Sequence, residues 1–375
     1  MSKFLSENER SQKASLKIEI IQVLRGIAAI MVLCFHLKEL LKPDDILKKV
    51  LDLLFNSGAA GVDLFFIISG FIMVYVTQNT TGGLKPAFHF LYKRALRIWP
   101  LYCICTLTYA LILSPKITIL SKAALTEIAL SLSFIPLSYS SPPFFGYAFL
   151  GTGWSLNYEM YFYLLLTIAL LFGKQRWLIF SVLIAVTLIL LPLSQNDLTA
   201  RPLEAHNFGN KILNLITNPI IWEFVYGCII GLLYINKSTA SILEKVFRSK
   251  IILASVLIYV LWENISGFYG GHGPFYWGAT MASLFLSLIF FNSTQTIKYA
   301  PWLVHLGNMS FSIYLWHIPV SAFFTQLFDS LSLQGNSTGT AAFLLIVSAT
   351  LIISNISYLL IEKRLHNFIV SKIQL

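Results

Sequence analysis

The feature that most constrains this chain is a succession of ten apolar runs, each near the length that crosses a hydrocarbon layer, about 17–25 residues. They lie at 19–41, 58–77, 97–114, 154–172, 177–193, 217–235, 250–264, 275–291, 305–328 and 340–362. Lipid offers no water to backbone N–H and C=O groups, so a spanning segment must satisfy them as a helix or within a closed barrel. The runs are continuous rather than alternating, which argues against barrel strands. The expected fold class is all-α: a polytopic transmembrane helical bundle of about ten spans, with no soluble domain. Residues 1–18 are expected as a cytoplasmic tail, 19–362 as the transmembrane domain, and 363–375 as a cytoplasmic C-terminal tail. The stretch 123–135 is apolar but too short to cross, and a re-entrant or interfacial helix is expected there.

Composition agrees. Hydrophobic residues make up 56% of the chain and charged residues 12%, about half the charge of an ordinary soluble domain. That leaves too few ionic groups to solvate a globule, and the chain is too apolar for disorder. Residues 1–18 are polar and lack the short apolar core and small-residue cleavage site of a secretory signal. The net charge is +10, but the basic residues sit mostly in short loops and form no nucleic-acid-binding stripe. With the N-terminus inside, 18 of the 27 Lys and Arg fall in inside segments and 8 in outside ones. The positive-inside rule therefore places both termini in the cytoplasm. Cys34, Cys103, Cys105 and Cys228 lie in apolar runs without metal-ligand spacing and read as buried structural thiols.

A charge inside a bilayer is costly, so each intramembrane ionisable group is a functional candidate. His36, Asp63, Glu159 and Glu223 stand about five or six residues from the outer ends of four different runs. At about 1.5 Å per residue they share a depth of roughly 7–9 Å below the outer interface. His317 falls nearer mid-membrane. Plainer readings stand beside these. Asp63, after Gly58 and Gly61, fits a helix cap; Glu223 fits a snorkelling or Lys-paired carboxylate; Glu159 fits a wet interfacial residue. A solitary histidine is more often structural, but Arg25 and His36 are eleven residues apart. That is close to three helical turns, so both project from one face about 16 Å apart along the axis. Arg94 and Arg97, three apart, also share a face. Two guanidiniums at an inner helix end suit a multiply charged phosphate ligand; they also suit simple topology anchors.

At this point the residues resemble a known family, the integral-membrane acyltransferase-3 family, which acylates carbohydrates. Leu24-Arg25-Gly26 through His36 resembles its R-x10-H motif. Gly58 to Phe71, containing Asp63 and Ser69, resembles its second-span signature, and Arg94-x-x-Arg97 its R-x-x-R motif. Trp154-Ser155-Leu156 with Glu159 resembles its W-S-L-x-x-E segment. Ser310 to Pro319, containing His317, and Ile361-Glu362 resemble its two closing signatures. The match spans nearly the whole chain, and the first two segments look closest to the exopolysaccharide-production branch. With little chain after the last run, the sequence resembles the stand-alone type.

The resemblance implies a membrane O-acyltransferase of the bacterial inner membrane. Acetyl-CoA would be the cytoplasmic donor, held by Arg25, Arg94 and Arg97. The acceptor would be a hydroxyl of an exported or cell-surface polysaccharide or its lipid-linked precursor. His36 would act as general base or acyl-carrying nucleophile, with Asp63 or Glu159 orienting its other ring nitrogen. Ser69, Glu223 and His317 are further candidate pocket residues. The chemistry requires no metal and no tightly bound cofactor, and membrane lipid is the only other partner expected. A transporter or flippase for a lipid-linked sugar is the main alternative, because intramembrane charges also mark transport pathways.

Overall fold

The computed structural model describes residues 7–114, 118–119, 121–196, 198–204, 206–295, 297–333 and 337–372. Residues 1–6 of the expected N-terminal tail, Lys116, and residues 373–375 of the C-terminal tail lie outside them. Among the described residues all regular structure is helical. The first half comprises α1 (Glu7–Leu37), α2 (Ile46–Phe55), α3 (Ala60–Thr77), α4 (Leu84–Leu113), α5 (Lys122–Leu132), α6 (Trp154–Leu171), α7 (Arg176–Ala185) and α8 (Leu191–Ser194). The second comprises α9 (Lys211–Ile216), α10 (Trp222–Ile235), α11 (Lys237–Phe247), α12 (Lys250–Ser266), α13 (Trp277–Thr294), α14 (Pro301–Asn308), α15 (Ser310–Ser330), α16 (Thr340–Ser357) and α17 (Lys363–Lys372).

All ten apolar runs are helical. Among the described residues six stretches are long and apolar enough to cross a membrane: Glu19–Leu40, Ile46–Thr77, Leu84–Leu113, Gly173–Ser194, Lys211–Ile235 and Thr340–Leu365. The other four expected spans form α6, α12, α13 and α15, which fall short of that combined length and hydropathy. Residues 7–18, within the expected tail, are helical and run on into α1. The connection at 42–57 is not a plain loop but contains the amphipathic α2. Its apolar Leu47, Val50, Leu51 and Leu54 recur at helical spacing, while Lys48 and Asp52 pair at 2.9 Å on the polar side. The buried Lys38 reaches Asp52 and Asn56, each at 3.0 Å, and so anchors α2 to the end of α1. The short run near 123–135 is the 11-residue α5, as its length dictated.

α3 is the axis of the bundle and packs on α1, α10 and α13. Its contact with α10 is backbone to backbone. A Cβ on Gly70 would strike the Phe224 carbonyl, and one on Gly227 would strike that of Ile67. Small residues permit such close approach where lipid supplies no hydrophobic drive between helices. Beside this seam the Phe66, Phe224 and Phe162 rings stack in series, with centroids 4.3 and 4.6 Å apart. The peripheral helices differ. α7, α12 and α16 expose large apolar side chains such as Leu178, Val182, Ile251, Ile258, Leu344 and Ile352. Contiguous exposed apolar surface of this kind suits contact with lipid.

Candidate active site

Three guanidiniums converge at one end of the bundle. Arg25 comes from α1, and Arg94 and Arg97 from α4; all three line a small cavity of about 70 Å³ and the adjoining one of about 440 Å³. Helical spacing puts Arg94 and Arg97 on one side of α4, as expected, and Arg25 joins them from across the cavity. Arg25 donates to Gln22 at 3.2 Å. Arg94 lies over the Phe90 and Tyr163 rings, 5.6 and 5.9 Å from their centroids, a cation–π arrangement. Among the described residues no ion pair joins any of the three to a carboxylate. With Lys93 and Lys363 in the wider cavity, these cations outnumber the two carboxylates, Glu159 and Glu362, that line the same cavities, and the surplus of positive charge suits an anion.

Glu159 and Ser69 line the small cavity with the arginines. The Glu159 carboxylate accepts from Ser69 at 3.2 Å and from the Tyr163 hydroxyl. Glu362, in the wider cavity, accepts from Ser312 at 2.5 Å.

His36 stands at the other end of α1, exposed to an outer cavity of about 370 Å³. Its Nδ1 lies 2.9 Å from the Val32 carbonyl. A carbonyl only accepts, so Nδ1 carries the proton, and in the neutral ring Nε2 is left with a free lone pair. His317 is the nearest ring, with centroids 5.0 Å apart. It is fully buried, its Nδ1 donates to Ile313 O at 3.2 Å, and its Nε2 has no partner.

The small cavity and the outer one share two wall residues, Val62 and Tyr314. Tyr314 donates to the Thr152 carbonyl at 2.9 Å and shares a 2.7 Å hydrogen bond with Ser155. Three cavities thus follow α1 in series, from the arginines, past Tyr314, to His36.

Neither carboxylate expected to orient His36 contacts it. Glu159 is held among the arginines. Asp63, fully buried in the first turn of α3, accepts from His272 Nδ1 at 2.8 Å. The expected common depth fails for Glu159, which bonds Ser69, six residues further along α3 than Asp63, and lines the arginine cavity rather than the one at His36; counting residues from the ends of apolar runs does not fix how far one helix is shifted against another. His272 belongs to the loop between α12 and α13 and lines the same outer cavity as His36. Glu223, also fully buried, accepts from the neighbouring Gly273 N–H at 2.9 Å. The sequence reading missed His272. The one available signal was its setting, Gly270-Gly271-His272-Gly273-Pro274, a histidine in a glycine-rich turn between apolar runs.

A family model described as an acyltransferase domain matches residues 18–359. The chain belongs to the acyltransferase-3 family. It is 28% identical over 320 residues to the exopolysaccharide production protein ExoZ of Rhizobium meliloti, covering 83% of this chain and 90% of that one. It is 24% identical over 332 residues to the O-acetyltransferase OatA of Staphylococcus aureus, covering 82% of this chain and 52% of OatA. No solved structure matches the chain significantly. With its apolar helices, this membership makes the protein a membrane acyltransferase.

Proposed function

We propose that the protein transfers an acyl group, acetyl foremost, from cytoplasmic acyl-CoA to a hydroxyl of an exported or cell-surface polysaccharide or its lipid-linked precursor. The observation that carries this reading is the succession of cavities along α1, with three guanidiniums at one end and a histidine with a free Nε2 at the other. Coenzyme A is anionic at its phosphates and reactive at the far end of a long thin arm. Arg25, Arg94 and Arg97 would take the phosphates. The arm would pass Tyr314, and the thioester would meet His36. The names of ExoZ and OatA support a polysaccharide acceptor and an O-acetyl product.

In the transfer the acceptor oxygen forms a bond to the acyl carbon, and the carbon–sulfur bond breaks with its electron pair on sulfur. The hydroxyl loses its proton and the coenzyme A thiolate gains one. His36 acts at this centre as base or as acyl-carrying nucleophile. The protein sits in the bacterial inner membrane with the arginine end toward the cytoplasm. The test is chemical analysis of surface glycans from cells with and without the gene. Loss of O-linked acetyl with the gene supports the reading; unchanged acetylation with altered glycan export supports a flippase instead.

A further inference from the structure

The outer cavity holds a second histidine better placed for one part of this chemistry. His272 Nδ1 donates to Asp63 Oδ2 at 2.8 Å, and Asp63 is wholly buried. That bond fixes the ring's tautomer and leaves Nε2 as the acceptor. Glu223 holds the next residue through Gly273 N–H, and the His272 ring is walled by Trp154 and Trp277, at 5.5 and 5.2 Å between centroids. The ring is therefore constrained on one side and lines the cavity with the other.

His36 is built differently. Its Nδ1 rests on a neutral backbone carbonyl, and its ring lies against another histidine. A general base must carry a positive charge once it has taken its proton. A buried carboxylate on the far ring nitrogen offsets that charge and keeps the ring oriented, as in a His–Asp dyad. Of these two histidines, His272 has such a carboxylate and His36 does not. Tyr109, Tyr147 and Trp154 supply aromatic wall to the same cavity, the mixture of flat apolar surface and a few polar groups that binds a ring-shaped ligand.

We propose that His272, positioned by Asp63, is the base that deprotonates the acceptor hydroxyl, and that His36 serves the acyl side of the same cavity. This rests on the acyl-transfer reading above. The hydroxyl proton passes to His272 Nε2 as the oxygen forms its bond to the acyl carbon. The carbon–sulfur bond breaks with its electrons on coenzyme A sulfur. His272 then releases its proton to solvent, and the thiolate takes one from solvent.

The test uses the full chain in detergent with radiolabelled acetyl-CoA and a polysaccharide acceptor. In His272→Asn the amide N–H still reaches Asp63, but nothing accepts the proton. Its kcat should fall by about 10²–10⁴-fold, with affinity for coenzyme A within twofold of wild type. His272→Ala should be equally inactive, and free imidazole should restore it at least tenfold. Asp63→Asn should lower kcat without changing coenzyme A affinity. An Asn variant within threefold of wild-type kcat, or an Ala variant that imidazole does not restore, would overturn the assignment. A wild-type chain that transfers no label would count instead against acyl transfer itself.

Discussion

At the scale of single residues the chemistry depends on which atoms are left free. His36 spends its Nδ1–H on Val32 O and keeps Nε2 for the cavity. We therefore expect His36→Ala and His36→Gln to insert normally, bind coenzyme A and transfer no acetyl group, because an amide copies a hydrogen bond but cannot take up a proton or an acyl group as imidazole does. Measured acetyl transfer at the wild-type rate by the Gln variant would make this histidine structural. Arg94→Ala and Arg97→Ala should each weaken donor binding by about 2 kcal/mol, or roughly thirtyfold. Lys at either position should rescue only in part, since a point charge lacks the guanidinium fork. Unchanged donor affinity in both Ala variants would leave these arginines as topology anchors. Helical spacing made two pairings legible, Arg25 with His36 on one face of α1 and Arg94 with Arg97 on one side of α4; that the two sets of arginines meet at one cavity is a result of packing. The partners of Asp63 and Glu159 were not legible. Those depend on how α3 and α6 are rotated against their neighbours, and on a loop that brings His272 back 209 positions along the chain.

Helices set those rotations through their closest contacts. Gly70 and Gly227 let α3 and α10 touch along their backbones, and α10 in turn carries Glu223 toward the His272 loop. Gly227→Leu should force the two helices apart. Overpacking of this kind commonly costs about 1–3 kcal/mol, so the purified variant should melt at a lower temperature and lose transfer activity. A variant with wild-type melting and activity would show that the seam tolerates separation. Helix existence was legible for the ten long apolar runs, because each must satisfy its own backbone in lipid, but not for the shorter α2, α11 and α17. Helix ends were less so. α2 lies where a connection was expected because its apolar residues alternate with Lys48 and Asp52, and a scan for continuous apolar runs passes over an amphipathic helix. Four of the ten runs fall short of the combined length and hydropathy of a membrane-crossing stretch, and three of them carry polar groups within the bundle, Glu159 in α6, Glu263 in α12 and His317 in α15.

The whole molecule has two unlike ends, with a succession of cavities along α1 between them. In the proposed orientation, which rests on Lys and Arg counts, the arginine end faces the cytoplasm, so the connection at 42–57 should be outside. A cysteine at the exposed Asn56 should react with an impermeant thiol reagent in intact cells. Protection there, with labelling at the N-terminal end, would reverse the orientation. The central claim is that this line of cavities carries an acyl group, and not a glycan, between the two sides. It is tested most directly with the protein in sealed vesicles, with radiolabelled acetyl-CoA on the arginine side and an oligosaccharide acceptor on the His36 side. The account predicts labelled ester on the oligosaccharide, with no exchange of either reactant across the membrane and no label in the His36→Gln protein. Movement of the oligosaccharide across the vesicle wall without ester formation would contradict it.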